Sequence, residues 1–320
     1  MRRCLCKATI AARSLWKLKP RLRPNQMKIL IVGNCQSGGF GRVFKKMLPN
    51  DEVSSFTISN KNLPRILASA AESHITFSQG ILNRTEISDQ IEDALTQAGN
   101  VHKIPRILFN GYFPDVTFVP DLTSKTSASP ADYHSAIAIA GFLDGRSPRD
   151  TARLYNAFVY ASLGYFDAFA IARDVFLKHC MDLGLDMSAK FDSWGANGPF
   201  MYAINHPSIR VIADIAYAAA EKAGLNPQTI DPDTVVDNLK LALNWPIYPG
   251  IAKKLGVQGS MRITRSREGK ELDISWDDYL QNIHAVYASI DPERLRNPQV
   301  QKVLNLLDRG RAAPAGAKPT

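Results

Sequence analysis

The sequence predicts an α/β fold, predominantly helical, in which a small parallel sheet carries a large helical portion. Three observations support this. The run Lys28-Ile-Leu-Ile-Val-Gly33 holds four consecutive apolar residues, three of them β-branched, as a strand covered on both faces requires. It passes through a polar, glycine-rich turn into a segment with Val43, Phe44 and Met47 at helical spacing. Beyond about residue 130 the strand signal fades, and apolar residues recur at three- and four-residue intervals.

In chain order, strands are expected at 28–33, 53–57, 74–77 and 105–109, alternating with helices near 40–48, 63–72 and 86–98. Thr85 is a suitable cap for the third helix, with Glu86 and Asp89 in its first turn. The run Ile104-Pro-Arg-Ile-Leu-Phe109 leads into a polar loop, Asn110-Gly-Tyr-Phe-Pro-Asp115. Helices follow at 131–144, 148–163, 167–183, 208–223, 233–244 and, last, near 276–289. Ser147-Pro148 is a cap followed by proline at the first helical position. Gly164, Gly184 and Gly224 suit helix C-termini. No repeat or linker divides the chain, so residues 27–308 read as one catalytic domain, with 27–130 its α/β part and 131–308 mainly helical.

The 320 residues suffice for a substantial core. The net charge of +9 is concentrated at the ends. Residues 1–26 hold eight Lys/Arg and no acid, and residues 309–320 hold three more. Residues 27–308 hold 28 basic and 30 acidic residues, a net of −2. The folded part therefore presents no basic patch for nucleic acid. Residues 1–26 read as a disordered extension, or as a mildly amphipathic segment that docks peripherally on anionic membrane. Residues 309–320 read as a disordered tail. Only Cys35 and Cys180 lie between these ends, so no disulfide framework or zinc spacing emerges. A reducing, cytoplasmic location is expected, with no spanning segment.

Cys35 lies in the turn of Gly33-Asn-Cys-Gln-Ser-Gly-Gly-Phe-Gly41. A thiol there sits at the carboxyl end of a strand, where ligands of open α/β sheets bind. It also lies near a helix N-terminus, whose dipole favours a thiolate. Cys35 is the leading nucleophile; the plainer reading is a buried structural cysteine. Two phosphate-loop readings fail. Gly39 and Phe40 stand where a Walker A loop requires Lys and Ser/Thr, and Phe44 stands where a dinucleotide fingerprint needs its third glycine. An anion on the amides of Ser37 to Phe40 remains compatible.

The second informative stretch is Phe200-Met-Tyr-Ala-Ile-Asn-His-Pro-Ser208. Pro207 pushes His206 toward extended backbone. A histidine on such a loop suits a general base; the alternative is a capping or core histidine. His134, in Asp132-Tyr-His-Ser135, is a second candidate for binding or catalysis, whereas His74, His102, His179 and His284 look structural.

Four stretches in order, GNCQ at 33–36, YHSAIAIAGFLDG at 133–145, GPFMYAINHP at 198–207 and WPIYPGIAKKLGVQGS at 245–260, resemble the WcbI family of polysaccharide-biosynthesis acetyltransferases associated with capsule assembly. The similarity runs from about Met27 to about residue 290. It implies a largely helical coenzyme A-binding protein with a core distantly like the SGNH/GDSL hydrolases. Cys35 then occupies the place of the hydrolase serine and His206 that of the late histidine. Ala203 stands three residues before it instead of the hydrolase Asp, so a Cys–His dyad is expected without a visible third member. Phe113 stands where the family often has histidine before Pro-Asp. That departure counts against a catalytic role for the middle loop, although Asn110 is retained as an oxyanion donor.

The implied reaction is transfer of acetyl from acetyl-CoA to a sugar hydroxyl, with no metal. Gln36, the amides of residues 35–37 and Asn110 would serve the oxyanion. Asn34, Ser37, Gly38, Gly39, Arg42, Lys45, Tyr133 and His134 would bind the cofactor. Either Cys35 carries the acetyl group, or His206 activates the sugar directly while Cys35 shapes the pocket. The rivals are a thiol esterase that deacetylates glycans and a non-catalytic CoA- or nucleotide-binding scaffold of glycan assembly.

Overall fold

A computed structural model describes residues 26–80, 85–119, 133–267 and 270–312. The expectations for residues 1–25 and 313–320 fall outside that range. The core is a four-stranded parallel sheet in the order β2-β1-β3-β4, built from Lys28–Gly33 (β1), Glu52–Thr57 (β2), Ile75–Ser78 (β3) and Val101–Lys103 (β4). β1 aligns Ile29 with Val53 on one side and with Ile75 on the other.

Successive strand residues face opposite sides, and β1 uses both. Leu30 and Val32 pack with Ile66 and Ala70 of α2 (Leu63–Glu72) and with Ile91 and Leu95 of α3 (Glu86–Ala98). Ile29 and Ile31 join Phe40, Val43, Phe44 and Met47 of α1 (Ser37–Met47) in the main core. That main core continues through the helical portion. A β1 apolar on both faces is therefore buried on both faces.

Two short antiparallel pairs follow. β5 (Val116–Phe118) pairs with β6 (Tyr133–Ser135), and β7 (Met201–Ala203) pairs with β8 (His206–Pro207). The intervening helices are α4 (Ala136–Leu143), α5 (Pro148–Ala152), α6 (Ala157–Leu163), α7 (Ala168–Asp182) and α8 (Ser188–Trp194). α9 (Ile209–Lys222) packs on α1. α10 (Pro249–Leu255), the hairpin β9 (Arg262–Arg267) and β10 (Lys270–Ser275), α11 (Trp276–Tyr287) and α12 (Pro298–Ala312) complete the described chain.

Local chemistry accounts for most boundaries. Thr85 and Ser88 form a reciprocal capping box on α3, and Ser147 accepts from Asp150 N at α5. Gly164, Gly184 and Gly224 take positive φ at or just beyond the ends of α6, α7 and α9.

Several expectations are corrected. The expected strand 105–109 is extended but joins no ladder. Pro105 has no amide to give, Ile107 bonds the side chain of Gln36, and Phe109 N donates to Ile204 O at 2.7 Å. The pairing strand is β4, just before it.

The expected helix 233–244 is a 3-10 turn over Pro232–Thr234 followed by a strap whose polar groups bond other elements. The expected helix 148–163 breaks at Asn156, whose side chain caps α6. In 131–144, Tyr133–Ser135 is strand and the helix starts only at Ala136, capped by Ser135. α8, α10, α12 and the β9–β10 hairpin lie outside every expected element, and α12 carries regular structure past residue 309 to Ala312.

Candidate active site

With strand order β2-β1-β3-β4, the chain reverses its direction of travel across the sheet between β1 and β3. The crevice beyond the carboxyl ends of those two strands is where open α/β sheets bind ligands. β1 ends there in Gly33-Asn34-Cys35-Gln36, and β3 ends in Ser78-Gln79-Gly80.

The turn after β1 is built by side chains. Asn34 Oδ1 accepts from Gln36 N at 2.9 Å, and Asn34 O accepts from Ser37 N at 3.0 Å. Gln79 Oε1 accepts from Asn34 N at 3.1 Å. A Cβ on Gly33 would stand 2.1 Å from that oxygen, so glycine is required for the carboxamide to lie against the strand end.

Gln36, fully buried, is the keystone. Its Nε2 donates to Ile107 O at 2.7 Å and to Asn205 O at 2.8 Å, while its Oε1 accepts from Gln79 Nε2 at 2.7 Å and Ile107 N at 3.1 Å. Both ends of the carboxamide are committed, so it has no donor left for an oxyanion; the expected role of its side chain is replaced by a clamp. That clamp joins the turn carrying Cys35 to the residue before His206.

Cys35 is exposed and its thiol is free of any disulfide. Its thiol is pushed up from the usual range chiefly by desolvation, with the amides of Cys35 and Gln36 and the charge of Arg106 pulling the other way. Loss of hydration thus outweighs the two amides and the Arg106 charge, against the expected thiolate. Arg106 was missed from sequence because it lies inside an apolar run. Its Nη2 donates to Gly80 O at 2.9 Å, and its buried Nε has no partner among the described residues.

His206 is buried at 9 % exposure in β8. Its Nδ1–H donates to Leu243 O at 3.2 Å, which leaves Nε2 as the acceptor, 3.5 Å from Tyr133 Oη. Tyr133 has one hydroxyl proton and donates it to Asn205 Oδ1, which leaves the Nε2 lone pair uncommitted. Burial lowers the pKa of His206, opposed by the Leu243 carbonyl and the Asp237 charge. The imidazole is thus a neutral base with its lone pair on Nε2. No hydrogen bond joins Cys35 directly to His206 among the described residues.

The remaining expected residues divide. Gly38 N has no acceptor among the described residues, whereas Gly39 N is spent on Gln36 O at 2.9 Å. A Cβ on Gly39 would lie 2.7 Å from Ile212 Cδ1, so this glycine serves α1–α9 packing and not an anion. Ser37 is buried with its hydroxyl 3.3 Å from that of Thr57. Arg42 donates from Nε to Val236 O at 3.0 Å, and Lys45 is exposed. Asn110 is exposed, its carbonyl accepting from Phe113 N in a turn, and no contact joins it to Cys35 or His206. Phe113 is buried against Tyr112.

His134 is removed from the site. It points from β6 to the face opposite Tyr133, where Tyr287 Oη lies 3.0 Å from Nδ1, and burial lowers its pKa to about 4. Among the described residues no group of His, Cys, Asp or Glu is arranged to hold a metal, and no helix is long and apolar enough to cross a membrane.

The model of the family "Polysaccharide biosynthesis enzyme WcbI" matches residues 28–228. A solved structure of WcbI, described as a novel polysaccharide biosynthesis enzyme in its native form without a disulfide bond between coenzyme A and one of its cysteines, shares the fold. Its TM-score is 0.62 at 15 % identity, covering 88 % of this chain and 98 % of that one. A search of curated proteins finds no match. The order of the sheet, the cysteine turn at its switch point and the family match over β1 to α9 lead to one assignment: this chain belongs to the WcbI family of polysaccharide biosynthesis enzymes.

Proposed function

We propose that the protein is a CoA-dependent O-acetyltransferase that moves acetyl from acetyl-CoA to a sugar hydroxyl in the biosynthesis of a polysaccharide such as a capsule. The observation that carries this reading is the Gln36 clamp. It ties an exposed thiol at the sheet's switch point to the hairpin that presents Nε2 of His206. The pairing of coenzyme A with a cysteine in the description of WcbI supports assigning the same neighbourhood to Cys35.

In the relay route, His206 Nε2 takes the Cys35 proton and Sγ attacks the thioester carbonyl. The bond from acyl carbon to the CoA sulfur breaks, and CoA leaves with that proton. The sugar oxygen then attacks acetyl-Cys35, giving its proton to His206 as the acyl–Sγ bond breaks. The Gly38 amide, which has no acceptor among the described residues, suits the oxyanion, and the charge of Arg106 suits a developing thiolate. The CoA phosphates would meet the side chains of Arg42, midway along α1, and Lys45, in its last turn.

One observation favours the direct variant, in which His206 deprotonates the sugar and Cys35 lines the acyl pocket: Cys35 rests as a thiol with no hydrogen bond to His206. Unliganded geometry often loosens such bonds, so the two routes are separated by experiment.

That experiment is intact-protein mass spectrometry after incubation with acetyl-CoA, on wild type, Cys35→Ser and His206→Ala. An acetyl adduct on wild type that is absent from Cys35→Ser selects the relay. Retained CoA without an adduct, with transfer to sugar lost in His206→Ala, selects direct transfer. Absence of both adduct and CoA binding refutes the acetyltransferase.

A further inference from the structure

The imidazole of His206 is held from behind by residues 236–245, the strap that replaces the expected helix. Asp237 is its hub. Oδ2 accepts from Tyr202 Oη at 3.0 Å and from Ile209 N at 2.9 Å, and Oδ1 accepts from Lys240 N at 3.2 Å. Tyr202 and Ile209 stand on either side of His206 in sequence, so one carboxylate grips both ends of the segment that carries the base. The Lys240 bond shapes the turn leading to Leu243, whose carbonyl meets Nδ1. Trp245 N closes the arrangement on Tyr202 O at 2.8 Å.

We infer that Asp237 is the positioning residue for His206: it holds the Leu243 carbonyl against Nδ1 and supplies the negative charge that stabilises the imidazolium formed when Nε2 takes a proton. These are the two services of a triad acid. Here they are divided between a main-chain carbonyl and a carboxylate that does not touch the ring. No acid precedes His206 in its own hairpin: Ala203, three residues before it, is apolar and fully buried.

The groups facing the imidazole are few. Tyr133 approaches Nε2 from β6, the Leu243 carbonyl approaches Nδ1 from the strap, and Asp237 stands behind. Asp237 is the one charged group among the described residues that acts on the ring. It raises the proton affinity that burial depresses. Removing its charge while keeping its shape therefore lowers that affinity.

The inference rests on His206 as base, and its test reads the ring itself. The C2-proton resonances of the six histidines are titrated by NMR in wild type, Asp237→Asn and Tyr202→Phe, with His206→Gln for assignment and nitrogen shifts for the tautomer. In wild type, His206 carries its proton on Nδ1. In Asp237→Asn its midpoint moves down, and acetyl transfer falls by an order of magnitude or more at unchanged CoA affinity. Tyr202→Phe removes one hydrogen bond but keeps the charge, and leaves the midpoint in place.

An unmoved midpoint in folded Asp237→Asn overturns the inference, and so does an equal shift in Tyr202→Phe. If Asp237→Asn does not fold, Asp237→Glu serves: it retains the wild-type midpoint, and a downward move overturns the proposal. Absence of transfer in wild type together with the expected NMR shifts refutes the acetyltransferase and leaves the role of Asp237 standing.

Discussion

Two polar centres, one reached by Tyr133 and the other by Ser135 of β6, have opposite designs. Around Asp115, every lone pair in view is used. Oδ1 accepts from Ile137 N at 3.0 Å and Tyr165 Oη at 2.9 Å, and Oδ2 accepts from Ser135 Oγ at 2.5 Å and Tyr248 Oη at 2.7 Å. Ser135 Oγ in turn lies 2.6 Å from Tyr155 Oη, and the carboxyl group is sealed from solvent. Around Cys35 and His206, the thiol, Nε2 of the imidazole and the amide of Gly38 are left available.

A buried polar group with all its partners specifies structure, whereas polar atoms left open in a crevice are free for chemistry. Asp115 is the more perturbed of the two and the less suited to catalysis. Perturbation alone does not mark a site; accessible, uncommitted atoms do.

The contrast is tested first where it predicts the largest effect. Asp115→Ala leaves three hydroxyls and an amide without their acceptor in a closed core. The expected loss of unfolding free energy is about 3–5 kcal/mol, measured by urea denaturation. CoA binding is retained in whatever folds; retained stability would show the cluster to be incidental.

Gln36→Ala comes next, removing four hydrogen bonds from a fully buried position. It should cost about 2–4 kcal/mol and also separate Cys35 from His206. Stability and acetyl transfer should therefore fall together, and a fall in transfer with no loss of stability would contradict the clamp.

The pH dependence of stability sharpens the comparison further. Desolvation raises Asp115 from its ordinary 3.8 to about 6, against the pull of its four partners. Between those values the folded state binds the proton and the unfolded state does not. Stability from this group is therefore present below pH about 4, lost as pH rises toward about 6, and constant beyond. The loss is on the order of 2–3 kcal/mol. Wild type should show it relative to Asp115→Asn in paired urea titrations at pH 4 and 7, and parallel titrations would refute it.

The smallest effect belongs to the open centre. Cys35→Ser should change stability by no more than about 0.5 kcal/mol, because the residue is exposed and a hydroxyl can keep the same amide neighbours. Its chemical counterpart is alkylation of Cys35 by iodoacetamide, followed on its peptide. The rate should rise with pH through a midpoint above the ordinary thiol value, because desolvation holds the proton on. A midpoint below that value would restore the dipole-activated thiolate.

How far the sequence could be read depended on the range of the contacts involved. The capping box at Thr85 and Ser88, the serine–proline start of α5 and the positive-φ glycines that end helices are interactions within a few residues, and they were legible as such. So were β1, covered on both faces, and the cysteine turn after it. The helix expected at 233–244 does not form beyond the turn at Pro232–Thr234, although the apolar spacing there is helical. The carbonyls of that segment and the Asp237 carboxylate instead find partners in α1, β7, β8 and α9. His134 was misread because one residue of register decides which face of a strand a side chain enters, and nothing local sets that register at β6.

The sequence by itself determined the α/β start, the cysteine at a strand end, the extended histidine before Pro207 and the family these belong to. Each depends on residue type and short spacing, which backbone sterics and capping translate directly into local structure. Tertiary structure alone decided that Gln36 clamps and does not donate to an oxyanion, and that Arg106 stands near the thiol. It alone made Leu243 and Asp237 the supports of His206, and Asp115 the sealed counterpart of the site. Those outcomes turn on desolvation and on partners far away in the chain, such as Asn205 for Gln36 and Tyr248 for Asp115. Both are properties of the packed molecule, which local preferences do not encode.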